Sequence, residues 1–240
     1  MPRHDGRRAH QIRPVKIRRR YTKSAPGSVL IESGKTVVLC TASIAPEVPK
    51  WLAGEGKGWI TAEYSMLPGS TNPRKSRRTD GRSTEIQRLI GRSLRAVADL
   101  EALGERMITV DCDVLDADGG TRTASISGAL VALVDAIRTI RRELPFPDRY
   151  PLTDSVAAVS VGIVDAKPVA DLDYIEDHDA SVDMNVVMTG KGRYIEIQGT
   201  GEEATFDEDE LQKLVGLARR GISDLTRIQK KALRSQWPFT

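Results

Sequence analysis

The chain has 240 residues, of which 40% are hydrophobic and 29% charged, and its formal net charge is +3. This balance is ordinary for a soluble globular protein. The longest nearly apolar run, SVAAVSVGIV, is too short to span a bilayer, and the basic N-terminus lacks the apolar region of a secretory signal. Cys40 and Cys112 lie in apolar strand-like segments, which predicts buried free thiols in a reducing compartment, with the cytoplasm as the default.

Positive charge is concentrated in two segments. Residues 1–23 carry nine Arg or Lys against one acid, and residues 69–82 carry five Arg or Lys against one acid. Clustered cations in flexible chain are typical of a protein that binds a polyanion such as nucleic acid. A solvated charged surface explains most such runs, so charge alone does not decide between the two interpretations.

Strand-like alternation opens the chain and gives way to a helix. Two β-branched runs in residues 28–44, separated by Ser-Gly-Lys, predict a hairpin, and residues 57–67 predict a third strand. Apolar residues then recur at helical spacing, which predicts an amphipathic helix from Thr84 to Leu103. Alternation returns in residues 107–115 and predicts a further strand.

The second part of the chain repeats this order of strands and helices. A second helix contains Leu130 and Leu133 on its apolar stripe, and residues 155–166, 181–190 and 193–201 predict three strands. A final helix of about 30 residues is predicted, with Thr205 and Glu208 as its capping box. The pattern predicts a single α+β domain over residues 1–240, built from two similar halves.

The segment DADGGTRTASISGAL, residues 116–130, resembles an anion-binding turn before a helix. Gly120 leaves backbone N–H groups approachable, and the helix offers unpaired N–H donors at its positive end. The Thr121 hydroxyl adds a donor and the Arg122 guanidinium can bind two phosphate oxygens together. Arg82, just ahead of the first helix, supplies a second cation. A tight strand-to-helix turn with an exposed arginine explains the same residues equally well.

Acidic residues cluster in DYIEDHDASVDMNVVMTG, residues 173–190. Strand alternation places Asp183 and Asn185 on one face, and Asp177 lies six residues before Asp183. Two carboxylates brought together can hold Mg²⁺, or one of them can protonate a leaving oxygen. A polar strand face beside an acidic loop is the alternative, and His178 is expected in a surface loop. The sequence has neither zinc-ligand spacing nor a nucleophilic triad pattern.

Several longer motifs together resemble the RNase PH family of phosphate-dependent 3′-to-5′ exoribonucleases, also called tRNA nucleotidyltransferases. The resemblance runs from about Arg3 to Leu233 and rests on the segments DGRRAHQIRPVKI, SVLIESGKTVVLCTASI, GRSTEIQRLIGRSLRAV, DCDVLDADGGTRTASISGA, VDMNVVMTG and IEIQGTGEEATF. It implies an α+β fold of mixed sheets with βαβα halves and packed helices. It also implies a homohexamer, a trimer of dimers, that acts on tRNA precursors and other RNA 3′ ends.

The resemblance also implies a role for individual residues. Inorganic phosphate, the co-substrate, is expected to bind four of them: Arg82, Gly120, Thr121 and Arg122. The catalytic acids are expected to be Asp177 and Asp183, usually associated with Mg²⁺. RNA contacts are expected from Arg74, Arg77 and Arg78. Gly69 departs from the family pattern, which has arginine after MLP, and the loop after Arg78 is shorter than the pattern leads us to expect.

Two other functions are compatible with parts of the sequence. An RNA-binding ring subunit without catalysis, as in exosome-like assemblies, has the same fold, but retention of the phosphate and acidic residues favours an enzyme. A small-molecule phosphotransferase would need a nucleotide triphosphate loop that the sequence lacks.

Overall fold

The two halves of the chain form two separate β-sheets in the computed structural model, which describes residues 3–78, 80–202 and 204–239. The strands are β1 (Val15–Arg19), β2 (Gly27–Ser33), β3 (Thr36–Ala45), β4 (Trp59–Met66), β5 (Met107–Asp116), β6 (Val156–Val164), β7 (Lys167–Ala170), β8 (Val182–Thr189) and β9 (Tyr194–Gly201). The helices are α1 (Gly81–Arg95), α2 (Leu100–Leu103), α3 (Thr121–Thr139), α4 (Tyr174–Asp179) and α5 (Glu208–Leu233).

The two sheets differ in how their strands pair. The first has the order β1-β2-β3-β5-β4, in which β4 and β5 run parallel and the other pairs antiparallel. The second has the order β7-β6-β8-β9 and is antiparallel throughout. The predicted α+β class is confirmed, and the mixed pairing is confined to the first sheet.

Helix α3 lies between the two sheets. It contacts β2 and β3 of the first sheet and β6 of the second, and every residue from Thr123 to Ile137 is buried. Its sequence is apolar or small on nearly all sides, which is typical of a helix surrounded by protein. Helix α5 covers the other face of the second sheet, where Met184 packs in one apolar cluster with Leu214 and Ile222.

The predicted helix from Thr84 to Leu103 is wrong between residues 96 and 99, where the helix is interrupted. Helix α1 ends at Arg95, and a separate short helix, α2, begins after Asp99, whose side chain accepts a hydrogen bond from Ala102 N at 3.0 Å. Ala98 instead pairs with Leu152 as an isolated β-bridge. The apolar spacing continues across this break because residues on both sides of it pack into the same core, so periodicity alone could not locate it.

The capping box of the last helix lies two residues later than predicted. Asp207, and not Thr205, accepts a hydrogen bond from Glu210 N at 2.8 Å, and the Glu210 carboxylate accepts from Asp207 N at 3.0 Å. This reciprocal pair satisfies two of the free N–H groups at the helix start. Helix α5 therefore begins at Glu208 and has 26 residues, fewer than predicted.

Three short elements were absent from the predicted set. Strands β1 and β7 add edges to the two sheets, and α4 replaces the expected turn before β8, so that His178 is an exposed residue of a helix. Each has six residues or fewer, too few for a periodic pattern to be recognised.

Two composition-based expectations can be compared with the structure. Cys40 and Cys112 are buried free thiols, as predicted, and are register partners on β3 and β5. No helix within the described ranges combines the length and apolar character needed to cross a bilayer.

Candidate active site

One cavity of about 740 Å³ lies where the start of α3 meets α4 and β8. Its lining includes every residue predicted to bind phosphate or to act as a catalytic acid: Arg82, Gly120, Thr121, Arg122, Asp177 and Asp183. The two predicted clusters come from opposite halves of the chain, and the packing of the two sheets brings them together. The roles of these residues stay predictions.

The turn before α3 requires glycine at two positions. Gly119 and Gly120 have φ of 73° and 65°, the left-handed region that glycine tolerates best. A Cβ on Gly119 would also lie 2.6 Å from the Asp173 carbonyl carbon, so no larger residue fits. Among residues 3–78, 80–202 and 204–239, no side chain caps α3, so its first N–H groups are available to an anion at the positive end of the helix.

A buried ion pair supports the backbone of this turn. Arg13 donates to Asp118 O at 2.5 Å and to Asp171 Oδ1 at 2.7 Å, and both charged side chains are buried. Burial alone would raise the pKa of Asp171, but hydrogen bonding and attraction to Arg13 outweigh it and hold that pKa below its usual value. Asp171 is therefore ionised at neutral pH, and the pair fixes the backbone of the turn.

Arg122 is oriented by residues from two other elements. Its Nη1 donates to Gln198 Oε1 of β9 at 2.8 Å, and Gln198 Nε2 donates in turn to Glu85 Oε1 of α1 at 2.8 Å. Arg122 Nη1 also lies 3.6 Å from Glu85 Oε1. Because these contacts use one end of the guanidinium, its other N–H groups remain available to a ligand in the cavity.

Arg82 lies in the first turn of α1 and is exposed to solvent. Asp80 caps this helix by accepting from Ser83 N at 2.7 Å, and Lys75 Nζ lies 3.0 Å from Asp80 Oδ2. A cation near a helix start is slightly unfavourable, and an anion in the cavity would compensate for it.

Asp183 and Asp177 reach the cavity from neighbouring elements. Asp183 and Asn185 of β8 both line it while Met184 between them is buried on the α5 side, as strand alternation predicted. Asp177 lies on α4, where Asp177 N donates to Asp173 O at 2.8 Å. The capping box formed by Asp173 and Glu176 fixes the start of this short helix and so the position of Asp177.

The surroundings of the two acids raise the pKa of both. Desolvation is the largest cause for each of them. Repulsion by Asp183 raises the pKa of Asp177 further, and repulsion by Glu202 raises that of Asp183, while Arg82 and Arg122 oppose both shifts. The cavity thus brings mutually repelling carboxylates within reach of two guanidinium groups that stabilise their charged forms.

The acid side of the cavity offers the type of ligand that a hard divalent cation prefers. Asp177, Asp183, Asn185 and Glu202 offer oxygen ligands, and a cation between the two aspartates would relieve the repulsion that raises the pKa of Asp177. Among all the described residues, the one group of three His, Cys, Asp or Glu side chains with ligand atoms within 4.8 Å of one another is His4, Asp173 and Glu176, so the acids of the cavity are spaced more widely than this. Arg3 and Arg7 already pair with Glu176, so that group is an ion-pair network.

Comparison with known proteins assigns the chain to a family. Residues 11–138 match the first domain of the 3′ exoribonuclease family, and residues 154–221 match its second domain. The chain is 59% identical to ribonuclease PH of Rhodopirellula baltica, covering 95% of this chain and 97% of that protein. It is 54% identical to ribonuclease PH of Listeria innocua, covering 96% and 95%. The chain belongs to the RNase PH family.

Solved structures agree with this fold. A subunit of the Archaeoglobus fulgidus exosome with RNA bound to the active site superposes with a TM-score of 0.81 at 23% identity, covering 94% of this chain and 92% of that chain. Rice (Oryza sativa) Rrp46 gives 0.80 at 20% identity, covering 97% and 100%. At these identities the likeness concerns the fold alone. That residues 1–240 form a single domain stays a prediction.

Three arginines in the basic loop of this RNase PH family member do not line the main cavity. Arg74, Arg77 and Arg78 are exposed; Arg77 and Arg78 line a neighbouring cavity of about 320 Å³. Lys75 lines both cavities and so connects the loop to the site. Their predicted contacts with RNA stay predictions.

Sequence reasoning missed several residues that orient the site. Tyr64 donates to Thr121, Gln198 holds Arg122, and Glu202 adds to the acidic side. Gln198 and Glu202 lie within the family motif IEIQGTGEEATF, which was a signal for their importance without indicating their partners. Tyr64 has the alternation of an ordinary core residue of β4, so no sequence pattern distinguished it.

Proposed function

We propose that the chain is a phosphate-dependent 3′-to-5′ exoribonuclease that trims the 3′ ends of tRNA precursors and releases nucleoside diphosphates. The observation that carries the proposal is the single cavity, lined by an anion-binding corner on one side and an acid pair on the other. Identity of 54–59% to ribonuclease PH proteins over nearly the whole chain supports the same activity. The reaction is reversible, so the site also adds nucleotides from diphosphates.

Inorganic phosphate binds at the corner formed by Gly120, Thr121, Arg122 and Arg82. The N–H groups of α3, the Thr121 hydroxyl and the two guanidinium groups neutralise its charge, so that it can approach another phosphate. One of its oxygens attacks the phosphorus of the last phosphodiester, and the bond from that phosphorus to the 3′ oxygen of the preceding nucleotide breaks. The products are a nucleoside diphosphate and an RNA shorter by one nucleotide.

The leaving 3′ oxygen needs a proton, and the acid pair is placed to supply it. The raised pKa of Asp177 and that of Asp183 both favour a carboxyl that holds a proton more readily than a free aspartate does. Both shifts have the same direction, so either carboxyl can serve as the proton donor.

Asp177 and Asp183 would also hold Mg²⁺, whose oxygen-ligand preference they meet. A bound Mg²⁺ would neutralise phosphate charge in the transition state. Removal of divalent cations with a chelator is then expected to abolish turnover, and Mg²⁺ is expected to restore it.

The RNA contacts and the oligomeric state are proposed from the same family. Arg74, Arg77 and Arg78 are proposed to contact the tRNA body, because exposed cations of a loop suit its phosphates.

We further propose a homohexamer, a trimer of dimers. Exposed Tyr194 and Ile197 on edge strand β9 support an interface between copies. Measurement of the molecular mass in solution tests the oligomeric state.

The two free thiols favour a location in the cytoplasm, which is a reducing compartment.

The decisive experiment incubates the protein with a tRNA precursor, with and without inorganic phosphate, and identifies the released nucleotides. Nucleoside diphosphates that appear only with phosphate support the proposal. Arg122→Ala should abolish their release while RNA binding persists, and Arg88→Ala, which removes an exposed arginine of α1, is the matched control. Release of nucleoside monophosphates, or full turnover by Arg122→Ala, would contradict it.

A ring subunit that binds RNA without catalysis is not favoured. Exosome proteins share the fold at 20–23% identity. A chain without catalysis has no need to keep Arg122 and Asp183 in one cavity.

A further inference from the structure

A buried tyrosine lies directly behind the proposed phosphate corner. Tyr64 of β4 is 5% exposed, and its hydroxyl lies 2.8 Å from Thr121 Oγ1. Thr121 lines the main cavity, whereas Tyr64 belongs to the wall of the neighbouring one. Tyr64 is therefore one layer further from the phosphate than Thr121 is.

The direction of this hydrogen bond follows from what each hydroxyl can contact. Within residues 3–78, 80–202 and 204–239, Thr121 is the one hydrogen-bond partner of the Tyr64 hydroxyl. If Thr121 were the donor, the Tyr64 proton would have no acceptor among the same residues, which is unfavourable for a side chain that is only 5% exposed. Burial raises the pKa of Tyr64, so the phenol stays protonated at neutral pH and can donate.

A donating Tyr64 determines where the Thr121 proton goes. The Tyr64 proton occupies one lone pair of Thr121 Oγ1, so the hydroxyl hydrogen of Thr121 must point elsewhere. The open direction is the cavity, where a phosphate oxygen can accept it. Thr121 would otherwise rotate freely and lose entropy whenever phosphate bound.

The core holds Tyr64 in place for this task. Ile60 and Ala62 share its buried face of β4, and all three belong to the main apolar cluster. A rigid strand thus supports the residue that contacts the anion, as preorganised sites require.

We infer that Tyr64 is a positioning residue for phosphate: its hydroxyl orients the Thr121 hydroxyl as a donor into the phosphate corner. The inference rests on the proposed function and deepens it. Tyr64 acts only through Thr121 and touches neither phosphate nor RNA.

The first test is Tyr64→Phe, which removes a single oxygen. The KM for phosphate should rise about three- to tenfold, the loss expected of one neutral hydrogen bond. The kcat at saturating phosphate and the KM for RNA should remain within about twofold of wild type. Tyr150→Phe is the matched control, because the Tyr150 hydroxyl is buried with no hydrogen-bond partner in the described residues.

A double-mutant cycle separates this role from a structural one. Thr121→Val should raise the phosphate KM, and Tyr64→Phe added to Thr121→Val should raise it no further. The comparison of these two variants stays available if Tyr64→Phe alone is too unstable, since the double variant leaves no unpaired hydroxyl. An additional loss in the double variant, or a change in RNA KM equal to that in phosphate KM, would overturn the inference.

The failure of the proposed function gives a different result. A wild-type protein that releases no nucleoside diphosphate with phosphate refutes the proposed function itself. An active wild type whose phosphate KM is unchanged by Tyr64→Phe refutes only the role of Tyr64.

Discussion

The phosphate corner and the acid pair occupy one cavity but are built in different ways. The corner is built on backbone geometry, with two glycines at positive φ and the start of α3 beside the side chains of Thr121, Arg122 and Arg82, and the buried pair of Arg13 and Asp171 supports it. The acid side is made of side chains, Asp177 on a six-residue helix and Asp183 on a strand. A backbone pocket tolerates few changes of shape, whereas a pair of carboxylates depends on charge and on proton exchange.

The two parts also come from different halves of the chain. Arg82, Thr121 and Arg122 belong to the first half, and both acids belong to the second. Gln198 of β9 crosses this division by accepting a hydrogen bond from Arg122. The site therefore exists only when the two sheets are packed, and substitutions on the two sides should affect different kinetic parameters.

The largest effect is expected on the acid side. Asp183→Asn keeps the shape but removes the charge and the exchangeable proton, and kcat should fall about 10²- to 10⁴-fold. The KM for phosphate should change little, because the corner is intact. Steady-state kinetics at varied phosphate measures both quantities. Asp179→Asn, on the exposed side of α4, is the control, and an unchanged kcat in Asp183→Asn would exclude the acid from the chemistry.

The next effect concerns the stability of the fold, to which the ion pair that supports the phosphate corner contributes. Asp171→Asn leaves the buried Arg13 unpaired and should lower the free energy of unfolding by about 3–5 kcal/mol at pH 7, measured by urea titration. Because the folded pKa of Asp171 lies below 3.8, the advantage of wild type is present above that pH and disappears as the pH falls through the folded pKa.

A surface pair provides the comparison for this prediction. Glu32→Gln removes the partner of Arg18, whose side chain is exposed, and should change the free energy of unfolding by at most about 1 kcal/mol. Equal losses for Asp171→Asn and Glu32→Gln would show that the buried pair does not hold the turn.

The sequence could predict the parts of the site that lie within one short segment, but not the contacts between distant segments. The corner was predictable because DGGTR lies in one short segment and its glycines have a local conformational reason. Asp183 and Asn185 were predicted to share a face because strands alternate. The contact between the two clusters could not be derived from periodicity, since it depends on how two sheets pack around α3. Tyr64 and Gln198 were missed because their partners are 57 and 76 residues away, beyond the reach of any local pattern.

A moderate effect is expected from Arg122→Lys, which keeps the charge but loses the planar fork. Lysine can neither bind phosphate through two N–H groups nor keep the bond to Gln198 in the same geometry. The KM for phosphate should rise about 10- to 100-fold, as for loss of a charged hydrogen bond, while kcat changes less. A fall in kcat with an unchanged phosphate KM would show that Arg122 acts in the chemical step and not in phosphate binding.

The smallest effect tests whether β9, from the second half of the chain, orients Arg122 in the phosphate corner of the first half. Gln198→Ala removes the acceptor that fixes Arg122 and should raise the phosphate KM about two- to tenfold, because Gln198 is exposed and water replaces it in part. Gln212→Ala, an exposed glutamine of α5, is the control. Since Gln198 acts through Arg122, its substitution should add nothing in an Arg122→Ala background. Titration of phosphate binding by calorimetry checks this, and an independent loss there would mean that Gln198 contacts the ligand itself.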